Sequence, residues 1–386
     1  MLKFKNGKKV RSKKQWERKR RPEILQLFKD EVYGNIPNVP TPKLSFQIVE
    51  QGRAYNDKAL RKQVEMTIQK GGENLVVNLL IYLPLGIEKP PLFLGYNYYG
   101  NQSITDDPEV LLPKSWVRTN EQFQINDHKA TEASRNQRGY RWGIEMMLEN
   151  GFGLAVMYYG DVDPDRKGYF SDGIHPFFYQ EGQTKPAQDE WGAIGAWAWG
   201  ASRALDYIKQ DELTQNSKVI MFGHSRLGKT ALWAAAQDER FDMVISNNSG
   251  CGGAALSKRK FGETIKIINT NFPHWFADNF EKYNDSEEDL VFDQHMLIAL
   301  MAPRPVYIAS AEEDAWADPK GEFLSGFAAG EVYSLYQKPI LKKAKMPKVN
   351  APLHDAIVGY HIRTGKHDVT DYDWKQYIAF ANKWLK

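Results

Sequence analysis

The chain has 386 residues, a length that permits two average domains or one large α/β domain with long loops. Its hydrophobic fraction of 42% and charged fraction of 26% are those of an ordinary soluble globular protein. No apolar run of about 18 residues is present, which excludes a transmembrane helix, and the single cysteine, Cys251, excludes an intrachain disulfide.

The positive charge is concentrated at the start of the chain. Residues 1–21 contain 11 Lys and Arg against one Glu, whereas the net charge of the whole chain is only +3. Such a run is typical of a polyanion-binding surface or of a solvated helix start, and both interpretations stay open. It lacks a nucleic-acid motif and the apolar core of a signal peptide, so neither a nucleic acid nor a membrane is an expected partner. We predict a basic arm and helix over residues 1–40 and a single domain over residues 41–386.

The first predicted elements are a short helix and a set of strands. A helix is expected over residues 22–33, and the Pro-rich segment 36–44 cannot continue it. Three strand patterns follow, LSFQIVEQG, KQVEMTIQK and NLVVNLLIYLP, and they lead into PLFLGYNYYG. Their alternating or β-branched apolar residues predict an antiparallel edge of a sheet.

Strands then alternate with helices along the rest of the chain. Predicted strands are FGLAVMYYG, KVIMFG, DMVISNNSG and PVYIASAEED; predicted helices are RGYRWGIEMMLENG, AIGAWAWGASRALDYIKQ, the segment after Ser225, a stretch near QHMLIALMA, and residues 374–386. This alternation is the signature of a mostly parallel sheet covered by helices on both faces. No internal repeat or break in composition indicates a second folding unit.

The segment GHSRLGK places Ser225 between a predicted buried strand and a predicted helix. This is the context of a nucleophilic serine on a tight strand-to-helix turn, although the spacing is G-x-S-x-x-G instead of the usual G-x-S-x-G. Gly223 would relieve crowding under the turn, and Gly228 would let the helix pack close to the sheet. The alternative is that Ser225 only caps the helix.

Arg226 and Lys229 follow the serine at the start of the same helix. Cations at a helix N-terminus oppose the helix dipole, so their position there favours contact with a ligand. A solvated helix face is the alternative interpretation.

The acid of a catalytic triad is expected after a later strand. The strand PVYIASAEED ends in Glu312, Glu313 and Asp314, and carboxylates at the carboxyl end of a parallel strand face the site crevice. We choose Asp314, while a solvated acidic turn remains the alternative.

The histidine of such a triad comes last in the chain, which leaves His354, His361 and His367. His367 lies in a Gly-containing loop before the last helix and is the best candidate for the base. His361 is expected inside the preceding strand.

Metal-dependent hydrolysis is the competing chemistry. Asp161, Asp163 and Asp165 alternate in YYGDVDPD, and His175 follows. No Glu stands at the distance that a calcium loop requires, and Pro164 interrupts the pattern. A loop beside the site is the simpler interpretation, and we expect neither metal nor cofactor.

The chain resembles the glucuronoyl esterases, carbohydrate esterase family 15, and in particular their bacterial members. The resemblance is carried by GHSRLGK, SNNSGCGGAAL, SAEEDAWADP and HIRTGKHD, and upstream by GYNYYGN, RGYRW and YYGDVDPD. It implies an α/β-hydrolase fold, a three-layer sandwich with a mostly parallel central sheet. It also implies hydrolysis of esters between 4-O-methyl-glucuronic acid on xylan and lignin alcohols, by a serine triad without metal.

The resemblance also assigns roles to single residues. It implies Ser225 as nucleophile, His367 as base and Arg226 as an oxyanion donor; Lys229, Glu263 and Trp316 resemble the residues that contact the sugar. Fungal members carry the acid after the strand that follows the nucleophile, and Asn248 stands there in this chain. An amide carries no charge, which favours Asp314 as the acid.

Alternatives in function are an acetyl or aromatic-acyl polysaccharide esterase of the same fold, and a non-catalytic polysaccharide-binding relative. Lys229 and Glu263 favour a uronate over an acetyl group. The expected partner is glucuronoxylan or a lignin–carbohydrate ester, the expected state is a monomer, and export from the cytoplasm is implied by the resemblance alone.

Overall fold

The computed structural model describes residues 1–385. Its strands are β1 (Lys43–Ala54), β2 (Ala59–Lys70), β3 (Glu73–Pro84), β4 (Leu92–Asn97), β5 (Gly153–Tyr158), β6 (Val219–His224), β7 (Met243–Asn247), β8 (Val306–Ala311) and β9 (Val358–Arg363). Its α-helices are α1 (Lys13–Gln15), α2 (Arg21–Phe28), α3 (Ile144–Glu149), α4 (Tyr159–Val162), α5 (Ala193–Ile208), α6 (Arg226–Gln237), α7 (Ile265–Asn271), α8 (Gln294–Ala299), α9 (Pro319–Tyr333) and α10 (Asp371–Leu385). Within residues 1–385, no helix is both long enough and apolar enough to span a membrane.

All nine strands form one sheet in the order β1-β2-β3-β5-β4-β6-β7-β8-β9. The pairs among β1, β2, β3 and β5 are antiparallel, and every pair from β5 to β9 is parallel. The parallel strands are buried along their whole length because helices cover both faces. The predicted α/β-hydrolase sandwich with an antiparallel edge is confirmed.

The helices of the structure depart from the prediction in several places; the last one, for example, begins at Asp371 and not at residue 374. The helix expected over RGYRWGIEMMLENG begins only at Ile144, because the residues before it form a single 3₁₀ turn and a loop. Helix α9 was not predicted, since its glycines weaken the helical pattern. One of them lets α9 approach the sheet: a Cβ on Gly326 would lie 2.9 Å from Ile308 Cδ1 and 3.2 Å from Val358 Cγ1.

The basic start of the chain packs against the body of the protein. Trp16 is fully buried, and Arg21 donates from Nε to the carbonyl of Leu300 (3.0 Å) and from Nη2 to that of Ala236 (2.9 Å). The helical turns continue to Tyr33, as predicted, but begin earlier, at residue 13. The domain boundary at residue 40 stays a prediction.

Candidate active site

The turn between β6 and α6 holds Ser225 in an unusual backbone conformation, with φ 58° and ψ −128°. A non-glycine residue is rarely held there unless its surroundings enforce it. A Cβ on Gly223 would lie 1.8 Å from the carbonyl oxygen of Leu227, and one on Gly228 would lie 3.0 Å from Ser249 Cβ. The two glycines therefore give the turn the space it needs. Within the described residues the Ser225 side chain makes no capping hydrogen bond, which argues against the helix-cap interpretation.

Asp314 lies just beyond the end of β8 and is buried, whereas Glu312 and Glu313 are exposed. Its Oδ2 is hydrogen-bonded to His367 Nδ1 at 2.5 Å and accepts a hydrogen bond from Asn248 Nδ2 at 2.7 Å. Burial alone would raise the pKa of Asp314, but the bonds from His367 and Asn248 outweigh it and hold the pKa below its usual range. Asp314 is thus a buried anion fixed against an imidazole.

His367 lies in the loop between β9 and α10, beside the serine turn. The centre of its ring is 4.6 Å from that of His224, the residue that precedes Ser225. The other two candidate histidines have different partners, since His361 lies within β9 and is bonded to Asp373, and His354 Nε2 is bonded to the hydroxyl of Tyr307. The structure therefore brings His367, and not these two, to the turn.

Arg226 points into a pocket of aromatic rings and forms an ion pair with Asp165. Its guanidinium carbon lies 4.6 Å from the ring centre of Trp275 and 5.5 Å from that of Phe272. Its Nε is buried and has no hydrogen-bond partner among residues 1–385. A buried N–H without a partner is costly, so a hydrogen-bond acceptor at this position would stabilise the arginine.

Asp165 belongs to this site, although the sequence points to it only as part of the alternative metal loop and does not predict its pairing with Arg226. Besides Arg226, it is hydrogen-bonded to His274 Nε2 and accepts a hydrogen bond from Trp275 Nε1, both at 2.7 Å. Burial alone would raise the pKa of Asp165, but the charge of Arg226 and the bonds from His274 and Trp275 lower it below its usual range. Its place after a strand, in YYGDVDPD, was the available signal.

Lys229 and Glu263 form a second buried pair. Lys229 Nζ donates to the carbonyl of Ser249 at 2.5 Å and lies 3.9 Å from Glu263 Oε2. Burial lowers the pKa of Lys229 and raises that of Glu263. The backbone N–H of Glu263 donates to the carbonyl of Trp316 at 3.0 Å, and Trp316 is 52% exposed, a large fraction for an indole. The solvated-face interpretation of Lys229 is therefore wrong.

The Lys229–Glu263 pair lies beside the elements that carry the candidate triad. Lys229 lies in the first turn of α6, four residues after Ser225, and Glu263 is hydrogen-bonded through its backbone to Trp316, two residues beyond Asp314. Burial raises the pKa of Glu263, and the charge of Lys229 opposes that rise.

The aspartates of the alternative metal loop have separate partners. Asp161 accepts a hydrogen bond from Ser115 Oγ at 2.5 Å, Asp163 Oδ1 lies 3.6 Å from His175 Nε2, and Asp165 is paired with the arginine described above. Within residues 1–385, no group of three or more His, Cys, Asp or Glu side chains is arranged to hold a metal ion. The loop instead places one aspartate at the serine turn.

Comparisons with known proteins cover almost the whole chain. A family model described as "Glucuronyl esterase, fungi" matches residues 171–336. The curated protein Carbohydrate esterase MZ0003, from an unknown prokaryotic organism, is 50% identical over 378 residues, which cover 98% of this chain and 87% of that protein.

Two solved structures are similar in both sequence and fold. The glucuronoyl esterase from Solibacter usitatus is 44% identical with a TM-score of 0.93, covering 100% of this chain and 97% of that one. A structure described as a promiscuous CE15 esterase from the marine bacterial metagenome is 48% identical with a TM-score of 0.92, covering 99% and 96% of the two chains.

Proposed function

Since the chain belongs to carbohydrate esterase family 15 and is a carboxylic ester hydrolase, we propose that it hydrolyses esters of glucuronic acid through an acyl-enzyme on Ser225. The observation that carries the proposal is the hydrogen bond from His367 to buried Asp314, beside a serine in a strained turn. Names of relatives, glucuronoyl esterase among them, support the substrate class.

The first step is proton transfer from Ser225 to His367. With Nδ1 of His367 bonded to Asp314, Nε2 is the nitrogen left to accept the proton. Ser225 Oγ then attacks the ester carbonyl carbon. Asp314 keeps the imidazole in the required tautomer and offsets the charge that develops on it.

Negative charge builds on the carbonyl oxygen in this step. Arg226 supplies a mostly buried positive charge and an unpartnered Nε–H beside the turn. Backbone N–H groups at the start of α6 are the other candidate donors. Losing one oxyanion donor typically raises the barrier by about 3 to 4 kcal/mol.

The same imidazole completes the cycle. His367 passes its proton to the departing alcohol. It then takes a proton from water as the water attacks the acyl-enzyme, and returns that proton to Ser225 Oγ as the bond to the serine breaks and the uronic acid leaves.

Recognition of the acyl part falls to Lys229, Glu263 and Trp316. Lys229 and Glu263 place a buried donor and a buried acceptor next to each other, which suits a sugar with several hydroxyls. The half-exposed indole of Trp316 offers an apolar face for a sugar ring. A small acetyl group has no hydroxyls with which these polar groups could interact.

The natural substrate would be a 4-O-methyl-glucuronate on xylan, esterified with a lignin alcohol. A polymeric substrate of this kind fits an exported, monomeric enzyme, and both properties belong to the proposal.

The test compares benzyl glucuronate with 4-nitrophenyl acetate, using Ser225→Ala as the control. We expect kcat/KM to be higher for the glucuronate ester and to vanish in the variant. A preference for the acetate would contradict the substrate class. Unchanged hydrolysis by Ser225→Ala would contradict the nucleophile.

A further inference from the structure

A fully buried carboxylate, Asp373, lies beneath the site in the first turn of α10. Its Oδ2 accepts hydrogen bonds from Arg363 Nε at 2.7 Å and from the backbone N–H and hydroxyl of Thr370, both at 2.8 Å. Its Oδ1 is bonded to His361 Nε2 at 2.9 Å and accepts from Asn247 Nδ2 at 3.2 Å. Burial would raise its pKa, but these bonds and the nearby charges hold the pKa below the usual range.

Arg363 extends from Asp373 to the His367 loop, residues 364–370. Its Nη2 donates to the carbonyl of Lys366 at 3.0 Å and to that of Asp368 at 2.5 Å. These carbonyls belong to the residues directly before and after His367. The arginine therefore clamps the backbone on both sides of the imidazole.

Asn247 extends from Asp373 in the other direction, to the Ser225 turn, residues 223–228. Its Oδ1 is bonded to His224 Nδ1 at 2.6 Å, and its carbonyl oxygen accepts from the backbone N–H of Ser225 at 2.9 Å. One buried carboxylate thus connects the two segments whose relative position sets the distance between serine and imidazole.

We propose that Asp373 and Arg363 are positioning residues that hold the His367 loop at the correct distance from the Ser225 turn. This inference rests on the proposed function, in which His367 takes the proton of Ser225. Proton transfer requires hydrogen-bond distance, and a displacement of about 1 Å costs about 100-fold in rate. The loop contains no helix or strand of its own, so its position depends on such contacts.

The test is the variant Arg363→Lys, which keeps the charge next to Asp373 but cannot reproduce the planar clamp on two carbonyls. We expect kcat for benzyl glucuronate to fall about 10- to 100-fold with KM within about twofold of wild type, because the sugar-contacting residues are untouched. In a His367→Ala background, Arg363→Lys should change kcat by less than about twofold, because the group that it positions is absent.

Arg61→Lys is the matched control. Arg61 is an equally buried arginine, paired with two carboxylates, Glu50 and Asp107, far from the site on β2. The Arg61→Lys variant should have an altered thermal stability and an unchanged kcat. Asp373→Asn is the second test variant, and its kcat for benzyl glucuronate tests the proposal if Arg363→Lys does not fold.

An equal loss of kcat in both backgrounds, or failure of both variants to fold, would show a structural role and overturn the proposal. The rate at which phenylmethylsulfonyl fluoride inactivates Ser225 distinguishes failure of this proposal from failure of the proposed function, because that reaction needs no sugar. We expect slower inactivation of Arg363→Lys even if glucuronate esters prove not to be substrates.

Discussion

Asn248 and His367 bind the same oxygen of Asp314, the amide at 2.7 Å and the imidazole at 2.5 Å. Asn248 follows β7, the position at which the resemblance to fungal members implies the acid, and here its amide supports a carboxylate that follows β8. In the proposed triad the acid therefore reaches His367 from the end of β8, while the position after β7 contributes a hydrogen bond.

This relationship predicts unequal effects of two substitutions. Asp314→Asn should lower kcat by about 10³- to 10⁴-fold, because a neutral amide neither offsets the imidazolium charge nor enforces its tautomer. Asn248→Ala removes only one supporting bond and should cost less than about 10-fold. Steady-state kinetics on benzyl glucuronate measure both, and equal losses would contradict the assignment of the acid.

Asp314 also predicts a pH dependence of stability. Its folded-state pKa lies below the unfolded value of about 3.9, so the ionised carboxylate stabilises the fold above that value, and the contribution is lost as the pH falls through the folded-state pKa. The difference in unfolding free energy between wild type and Asp314→Asn should therefore shrink from about pH 6 to about pH 3. Urea titrations at both pH values measure it; a constant difference would speak against an ionised Asp314.

Asp165 and Asp163 offer a matched pair of substitutions two residues apart. Asp165→Asn leaves the mostly buried Arg226 without its counter-charge and should destabilise the fold by about 3 kcal/mol and lower kcat. Burial raises the pKa of Asp163 well above its usual value, and Asp163 forms no ion pair with an arginine, so Asp163→Asn should be milder than Asp165→Asn. Thermal unfolding and kinetics on both variants test this, and a reversed order of effects would refute it.

Lys229 predicts a change in substrate binding. Lys229→Met should raise KM for benzyl glucuronate about 10- to 100-fold, the equivalent of one charged hydrogen bond to the sugar, and leave kcat/KM for 4-nitrophenyl acetate within about threefold. Lys62→Met, which removes a buried ion pair between β2 and Asp211 in the turn after α5, is the control for general destabilisation. Parallel losses on both esters would argue against contact with the sugar.

The parts of the site that could be predicted are those encoded along the chain. Ser225, Asp314 and His367 each follow a strand in the expected order, and the buried apolar runs of the parallel strands mark where those strands end. The need for glycine at positions 223 and 228 could also be predicted, because a tight strand-to-helix turn leaves no room for a Cβ there.

The supporting residues could not be predicted because their partners are distant in the sequence. Asp165 is paired with Arg226 and His274, 61 and 109 positions away, and Asn247 meets Asp373 across 126 positions. No periodicity records such contacts; they arise when neighbouring strands bring their ends together. Helix α9 could not be predicted for a different reason, since its glycines weaken the helical pattern and one of them, Gly326, serves packing on the sheet.

The most direct test of the account is to identify the covalent intermediate. Acid quenching during turnover of benzyl glucuronate, followed by mass spectrometry of the digested protein, should show a glucuronoyl group on the peptide that contains Ser225, and no such adduct in Ser225→Ala. Turnover without an adduct on this peptide, or an adduct on another residue, would contradict the serine mechanism.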